Sequence, residues 1–498
     1  MKKLKFPTAQ SILLIIAALV AVLTWVVPAG KYDTLTYNKE TNSFTKTSLE
    51  TSETLIASQE TLDKLNIKIP LQKFTDGDIW KPISIPNTYQ TLDSHPQGIS
   101  EFITSPIKGI IESADIIFLV LIIGGLIGIM NASGAFDAGI SWLAKTLKGR
   151  EYILIILITT LIALGGTTFG LAEETIAFYP ILIPIFLAAK YDAMVALASI
   201  YIGSSIGTMF STVNPFSTII ASDAAGINWT TGLDGRFLML VIGTLICIVY
   251  IIRYAQRVKN DPAKSIIYES RFQIEALFPP IDTNTTHKLT ARLRLILFVF
   301  MMCFVVMIYG VSQLEWWFVE MTAVFLVGAI LIGLLARINE VTFVDTFVKG
   351  AGDLLGVALI IGIARGVSVI MNDGLISDTM LYHASTMTEG MNKGLFANIL
   401  LFIYSGLSFF IPSSSGMAVL TMPVMSPLAD TVGVGREVVV NAYQYGMGLF
   451  AFINPTGLIL ASLAIVKVGY DKWLKFVMPL VIILTITTII FLTVSVYL

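Results

Sequence analysis

The sequence predicts an all-α polytopic membrane protein. It is expected to hold two inverted-topology repeats with opposed re-entrant helical hairpins and Pro-broken helices, plus a polar extracytoplasmic insert after the first span. Three observations predict this. Of 498 residues, 55% are hydrophobic and 13% charged, and the mean hydropathy is +0.79, far from a soluble globular average. Short strings also recur in the same order about 240 residues apart. Asn214-Pro215 with Ala221-Ser222 returns as Asn454-Pro455 with Ala461-Ser462, and Ile129-Met130-Asn131 returns as Ile370-Met371-Asn372. Lys108-Gly109 returns as Lys349-Gly350, and Pro180 and Pro184 as Pro423 and Pro427. Finally, the loop charges change sides between the copies.

Residues 1–30 are expected as the first transmembrane helix, whose apolar stretch from Leu13 to Val27 follows Lys2, Lys3 and Lys5. A signal peptide is the competing reading. No small-residue cleavage site follows, however, and Pro28-Ala29-Gly30 reads as a helix end. Residues 31–105 form a polar insert rich in Thr, Asp, Lys and Ser, an extracytoplasmic subdomain or flap whose fold, strands included, the pattern leaves open. Repeat 1 covers 106–254 with a hairpin at 151–189, and 255–290 is a cytoplasmic linker. Two scaffold helices occupy 291–337, and repeat 2 covers 338–498 with a hairpin at 395–433. Cys247 and Cys303 lie in apolar runs, which argues against a disulfide framework or a metal cluster. His95, His287 and His383 are expected in loops, without metal-ligand spacing.

Lys and Arg in short loops mark the cytoplasmic side. By that rule the N-terminus lies inside, as do 136–150 (Lys145, Lys148, Arg150), Lys190, the basic linker and the stretch with Lys467, Lys472 and Lys475. Residues 223–235, 311–320 and 373–392 carry no Lys or Arg and fall outside, with Trp316 and Trp317 suited to an interfacial belt. The segment after Asn131 is basic, while its counterpart after Asn372 carries no Lys or Arg before Lys393. The stretch after Ala221-Ser222 lacks basic residues until Arg236, while that after Ala461-Ser462 has three. The second copy is therefore expected upside down, an arrangement suited to alternating access.

Both ends of 151–190 read as inside, so its apolar length holds either two full spans that barely fit or a helical hairpin that enters and turns back. Its middle, Gly165 to Thr175, is poor helix and poor hydrocarbon, and so is the matching stretch from Ser405 to Gly416. Polar non-helical backbone survives at membrane depth only when buried in protein or lining a cavity. Two re-entrant hairpins, one from each side, satisfy that condition.

Candidate residues follow from the cost of polarity in hydrocarbon. Asn214-Pro215 and Asn454-Pro455 interrupt apolar helices, and each proline leaves unpaired carbonyls and a new helix N-terminus. Such carbonyls suit Na⁺, and such N-termini suit carboxylates. A packed proline kink is the plainer reading, less so for two at matching positions. Thr167, Thr168, Ser413, Ser414 and Ser415 offer hydroxyls at the tips, against the alternative of back-bonding to helix carbonyls. Glu173 and Glu174 are costly intramembrane acids, suited to a cation, an amine or a proton, although one could instead cap a helix N-terminus. Arg365 is the candidate charge partner of a substrate carboxylate or of Glu174, against the alternatives of snorkelling or bracing a structural ion pair. Asp115, Asp137, Asp353 and Asp378 lie near segment ends, where solvated positions are expected.

Other functions find no support. No basic aromatic patch points to nucleic acid, and Gly203 to Thr208 lacks the Lys and the strand context of a phosphate loop. No Cys/His or Ser/His pair suits an intramembrane enzyme. Paired broken helices with hairpins argue against a channel.

Phe169-Gly170-Leu171-Ala172-Glu173-Glu174-Thr175, the Asn-Pro pairs with Ala-Ser behind them, and Asn454-Pro455-Thr456-Gly457 resemble YfcC-type carriers. Those are grouped with DcuC-like C4-dicarboxylate carriers of the ion transporter superfamily. The resemblance spans nearly the whole chain. It implies a bacterial inner-membrane carrier, a homodimer of scaffold and transport domains with two opposed hairpins. Members are described both as dicarboxylate carriers and as basic amino acid antiporters. Dicarboxylate carriers of the superfamily often carry Ser-Asn-Thr at both tips. Here Ser414 and Ser415 keep hydroxyls while the first tip has acids, which weighs against a dianionic substrate. The expectation is an ion-coupled secondary transporter in the lipid bilayer for a small carboxylate-bearing metabolite, foremost an amino acid. It uses no cofactor beyond Na⁺ or H⁺ as coupling ion. Thr167, Thr168, Glu173, Glu174, Ser413, Ser414, Ser415, Asn214, Asn454 and Thr456 would meet substrate, and Glu173, Glu174, Asn214 and Asn454 the coupling ion. A C4-dicarboxylate or other short-chain carboxylate carrier is the alternative.

Overall fold

Thr8 begins the first helix, its side chain accepting from the amide of Ser11 at 3.4 Å. The computed structural model describes residues 7–49, 51–79, 81–146, 150–278, 289–314, 316–388 and 390–497. Lys2, Lys3, Lys5, Lys148, His287 and Lys288 lie outside the described residues. Helix α1 (Ala9–Val26) ends just before Pro28 and leads into the insert.

The insert is a small α/β unit, which answers the question its composition left open. It comprises β1 (Gly30–Lys31), β2 (Thr34–Asn38), β3 (Ser43–Thr47), β4 (Ser52–Ile56), α2 (Gln59–Lys64), α3 (Leu71–Thr75), β5 (Ile83–Ser84) and β6 (Gln90–Thr91). The main sheet is antiparallel in the order β4-β3-β2-β5, and β1 pairs with β6. Leu35, Phe44 and Ile83 are fully buried on it, as is Leu62 of α2. The Phe74 ring of α3 meets the edge of Phe44 at 5.1 Å. Sparse apolar residues thus suffice for a local core, although their density is too low to announce strands.

Next come α4 (Ile99–Glu112), α5 (Ala114–Ala132), α6 (Ala135–Thr146) and α7 (Tyr152–Phe169). A 3-10 turn over Glu173–Phe178 opens α8 (Tyr179–Ala188), which is followed by α9 (Ala193–Met209). A π turn at Pro215–Ile219 leads into α10 (Ile220–Ala224) and then α11 (Leu233–Asn260). The linker carries α12 (Arg271–Leu277), ahead of α13 (Ala291–Gln313) and α14 (Phe318–Ala336). The second half runs α15 (Glu340–Asp353), α16 (Leu355–Asp373), α17 (Ser377–Met387), α18 (Lys393–Phe410), α19 (Ser414–Val432), α20 (Arg436–Ala451), α21 (Ile459–Val466) and α22 (Tyr470–Tyr497). Among the described residues, nine helices are long and apolar enough to cross a membrane.

Helices α4 and α15 differ from the sequence expectation. The expected insert runs through residue 105, yet α4 already begins at Ile99, and a separate helix precedes the first long apolar span of each repeat. Their amphipathic pattern is the reason. Ile99, Ile103, Ile107 and Ile111 form one exposed stripe of α4, and the polar residues between them lower the average hydropathy. Each of these helices lies on the partner half's span, α4 on α16 and α15 on α5. A Cβ on Gly109 would stand 2.3 Å from the carbonyl of Gly362, and one on Gly350 2.4 Å from that of Gly124. Both crossings are therefore backbone against backbone, as small-residue membrane interfaces are. Gly109 and Gly350 belong to the repeated Lys-Gly string.

Helix α7 lies along α9, and α18 along α20. His383 sits on α17 rather than in a loop. Asp378 is not a solvated end residue either: its carboxylate accepts from the Tyr32 amide at 2.9 Å, holding the insert. Thr379 donates to the Pro28 carbonyl at 2.8 Å, and Tyr89 stacks on Tyr382 at 4.2 Å. On another side, Lys73 of α3 reaches the fully buried Asp223 carboxylate at 2.9 Å.

Candidate transport site

The first tip is built where α7 stops. Gly170 takes a left-handed conformation, φ +75°, a turn that a side chain would resist. Thr167 is buried, accepting from the Thr212 amide at 2.8 Å and lying 3.1 Å from the Thr212 hydroxyl. The Thr167 carbonyl takes the Val213 amide at 3.2 Å. Asn214 donates to the Gly166 carbonyl at 3.3 Å and accepts from the Phe216 amide at 2.8 Å. The end of α7 is thus fastened to the break after α9.

The second tip repeats this bracket. Asn454 donates to the Ser408 carbonyl at 3.0 Å and accepts from the Thr456 amide at 3.0 Å. Thr456 donates to the Phe409 carbonyl at 3.0 Å. Ser413 caps α19, accepting from the Gly416 amide at 3.2 Å, and the Ser414 carbonyl takes the Tyr443 hydroxyl at 2.7 Å. At each break, one asparagine amide ties the end of a neighbouring helix, α7 or α18, to the turn after the break.

Glu173 and Glu174 stand on the 3-10 turn beyond the first tip. Glu174 is buried and accepts from the Ala172 amide at 3.1 Å, so its carboxylate folds back on the start of its own turn. Glu173 lies within electrostatic reach of Asp115 on α5 and of Tyr201 on α9. No trio of His, Cys, Asp or Glu close enough for a metal ion occurs among the described residues. Thr168 is exposed and donates back to the Leu164 carbonyl at 2.6 Å, the back-bonding alternative. Arg365 pairs with Glu112 at 3.0 Å across the α4–α16 crossing.

The carbonyls released at the second break already have donors. Tyr201 donates to Ala451 at 2.8 Å, Trp473 to Phe452 at 2.8 Å, and Tyr470 to Ile453. Tyr201 therefore links the neighbourhood of Glu173 to the end of α20. At the first break, Gln444 donates to the Ser211 and Thr218 hydroxyls at 3.0 and 2.5 Å, while its own buried carbonyl oxygen has no hydrogen-bond partner among the described residues. Lone serine, threonine and glutamine residues in apolar runs gave no pattern that singled these out.

Sequence reasoning also missed Lys81. It stands just before β5, which packs on α19, and its ammonium donates to the Ser415 hydroxyl at 2.7 Å. In sequence it is one lysine among several in a polar segment, 334 residues from its partner. A cavity of about 610 Å³ lies between α5, α8, α16 and α21, and its lining includes Asn131, Asp137, Pro180, Pro184, Asp353 and Lys467. That volume suits a small metabolite.

A family model for C4-dicarboxylate anaerobic carriers, DcuC, matches residues 6–497. The chain belongs to the DcuC family. It is a multi-pass membrane transporter. Among relatives of this DcuC family member, an uncharacterized protein of Haemophilus influenzae is 44% identical over 484 residues, covering 96% of this chain and 95% of its own. A protein of Escherichia coli named "Putative basic amino acid antiporter YfcC" is 30% identical over 488 residues, covering 94% and 92%. Two solved transporters align at low similarity. YdaH of Alcanivorax borkumensis has a TM-score of 0.41 and 13% identity over 98% of each chain. MtrF of Neisseria gonorrhoeae has a TM-score of 0.41 and 15% identity over 99% of this chain and 96% of its own.

Proposed function

We propose that this protein is an ion-coupled secondary transporter that moves a small carboxylate-bearing metabolite, foremost an amino acid, by alternating access. The matched asparagine brackets at the two breaks carry this reading. They support two opposed re-entrant hairpins in inverted repeats, since the same local device recurs at corresponding points of both halves. The substrate carboxylate meets Ser413, Ser414 and Ser415 at the start of α19, where helix N–H groups favour an anion. Glu173 and Glu174 serve an amine of the substrate or the coupling cation, Na⁺ or H⁺. Thr167, Asn214, Asn454 and Thr456 set the tip geometry, and Asn214 with Asn454 lies where Na⁺ would bind. The cavity beside α8 is the path to the cytoplasm, the side on which loop charge places the N-terminus. A bacterial inner membrane and a homodimer complete the proposal. The relative named as a basic amino acid antiporter supports the amino acid.

The family description favours a second reading, a C4-dicarboxylate carrier with Glu173 and Glu174 reserved for the coupling cation. Uptake by purified protein in proteoliposomes, with imposed Na⁺ or H⁺ gradients, tests both. Gradient-driven accumulation of arginine or ornithine supports the first, and accumulation of succinate the second. Accumulation of neither class under any gradient would sink the proposal.

A further inference from the structure

We propose that the insert supplies part of the substrate site: Lys81, with Arg365 behind it and Ser415 beside it, forms a carboxylate-binding subsite at the second tip. This deepens the transport reading above and rests on it. The ammonium of Lys81 already sits 2.7 Å from the Ser415 hydroxyl, at the first turn of α19. Strand β5 holds it there. Ile83 and Ser84 pair with Leu35 and Thr34 of β2, and β5 packs against α19. The insert is clasped at two further places, by Asp378 and Thr379 near α1 and by Asp223 beyond α10. A lysine on a stem so fixed costs little further ordering when it meets a ligand.

Two cations lie within electrostatic reach of each other here, Arg365 being itself paired with Glu112. The Arg365 guanidinium on α16 is near enough to be felt by Lys81, and its own partner Glu112 lies on α4. Burial, with the Arg365 charge adding to it, pushes the Lys81 ammonium below the usual lysine range. A carboxylate bound between Lys81 and the Ser415 hydroxyl would accept from both and favour the ammonium form. The same carboxylate takes the amides at the start of α19, where the helix dipole favours negative charge. A substrate amine would be repelled at this tip and directed toward Glu173 and Glu174. The two ends of an amino acid are thus distinguished by opposite fields at the two tips. Because Lys81 touches α19 while Arg365 rides on α16, the subsite spans the boundary between a tip and a helix packed on α4.

The test compares substrates with and without the carboxylate. Wild-type protein, K81Q, K81R and R365Q are placed in proteoliposomes and offered arginine, ornithine and succinate, with agmatine and putrescine as the decarboxylated counterparts. Wild type should prefer arginine to agmatine at least tenfold in competition, about 1.4 kcal/mol. K81Q should bring that ratio to within about twofold, and K81R should restore most of it, since a charge-assisted hydrogen bond survives the exchange. Because Lys81 also fastens the insert, R365Q provides an independent arm and should lower the same ratio. Wild type that accumulates carboxylate substrates, with K81Q or R365Q keeping the full preference, overturns the subsite and leaves the transport reading intact. Wild type that accumulates none of the five compounds overturns both.

Discussion

Glu174 folds its carboxylate onto the Ala172 amide, while Glu173 lies within electrostatic reach of Asp115 and Tyr201. The two neighbours therefore stand in different surroundings, and their substitutions should differ. E173Q is expected to lower gradient-driven uptake at least tenfold while leaving thermal stability near wild type. E174A should cost stability as well, because it leaves the Ala172 amide without its acceptor, on the order of 1 kcal/mol. Uptake and coupling unchanged in the E173Q/E174Q double variant would remove both acids from the mechanism. At the second break, N454D keeps the acceptor for Thr456 but loses the donor to Ser408. Leaving that carbonyl unpaired should cost about 1–3 kcal/mol, read as a lower unfolding temperature. Asp378 gives a pH dependence. Burial raises its carboxyl above the ordinary range in spite of the Tyr32 amide. The folded state then holds the proton more tightly than the unfolded chain does. Its contribution to stability is greatest below the unfolded carboxyl range and is lost as pH rises through the folded value. D378N should therefore unfold at or above the wild-type temperature at pH 7, with the gap closing as pH falls. A lower unfolding temperature for D378N at pH 7 would show that the charged clasp outweighs its burial cost.

At the scale of elements, the crossings of α4 on α16 and of α15 on α5 depend on glycine. A valine at Gly350 must push two backbones apart at the Gly124 carbonyl, with a cost of about 1–3 kcal/mol. The G350V variant should lower the yield of folded protein and its unfolding temperature, and G109V should do the same at the matching place. A G350V protein as stable as wild type would mean that the crossing is looser than the lack of room for a Cβ at Gly350 implies. The exposed isoleucine stripe of α4 contributes nothing to these contacts. It faces away from α16 and suits a lipid surface.

For the whole molecule, the decisive property is the relation between the halves. The order of elements from α4 to α11 returns from α15 to α22, and the Asn brackets and Lys-Gly crossings return with it. Loop charge supports the proposed upside-down placement of the second half. Single cysteines at positions 145 and 385, in a background lacking Cys247 and Cys303, should react with an impermeant maleimide from opposite faces. Reaction of both from one face would end the inverted-repeat reading and the alternating-access mechanism with it.

Composition alone made this a membrane protein, because long apolar runs have no other stable environment. Order and spacing of Asn-Pro, Lys-Gly and the prolines marked the breaks and both tips, since a residue that stops a helix does so locally. Glu173 and Glu174 were legible for the same reason: an acid in an apolar run is conspicuous wherever it points. Helices α4 and α15 were not, because an amphipathic helix averages to modest hydropathy and its partner lies in the other half of the chain. The back-bonding of Thr168 and the Glu112 partner of Arg365 were open alternatives that only packing decided. Lys81 had no signal at all. Its meeting with Ser415 is made by a sheet of sparse apolar residues folding over a distant helix, and nothing in either neighbourhood encodes the contact. Local chemistry belongs to the sequence, while the pairing of far-apart charges is set by how the insert and the two halves close on one another.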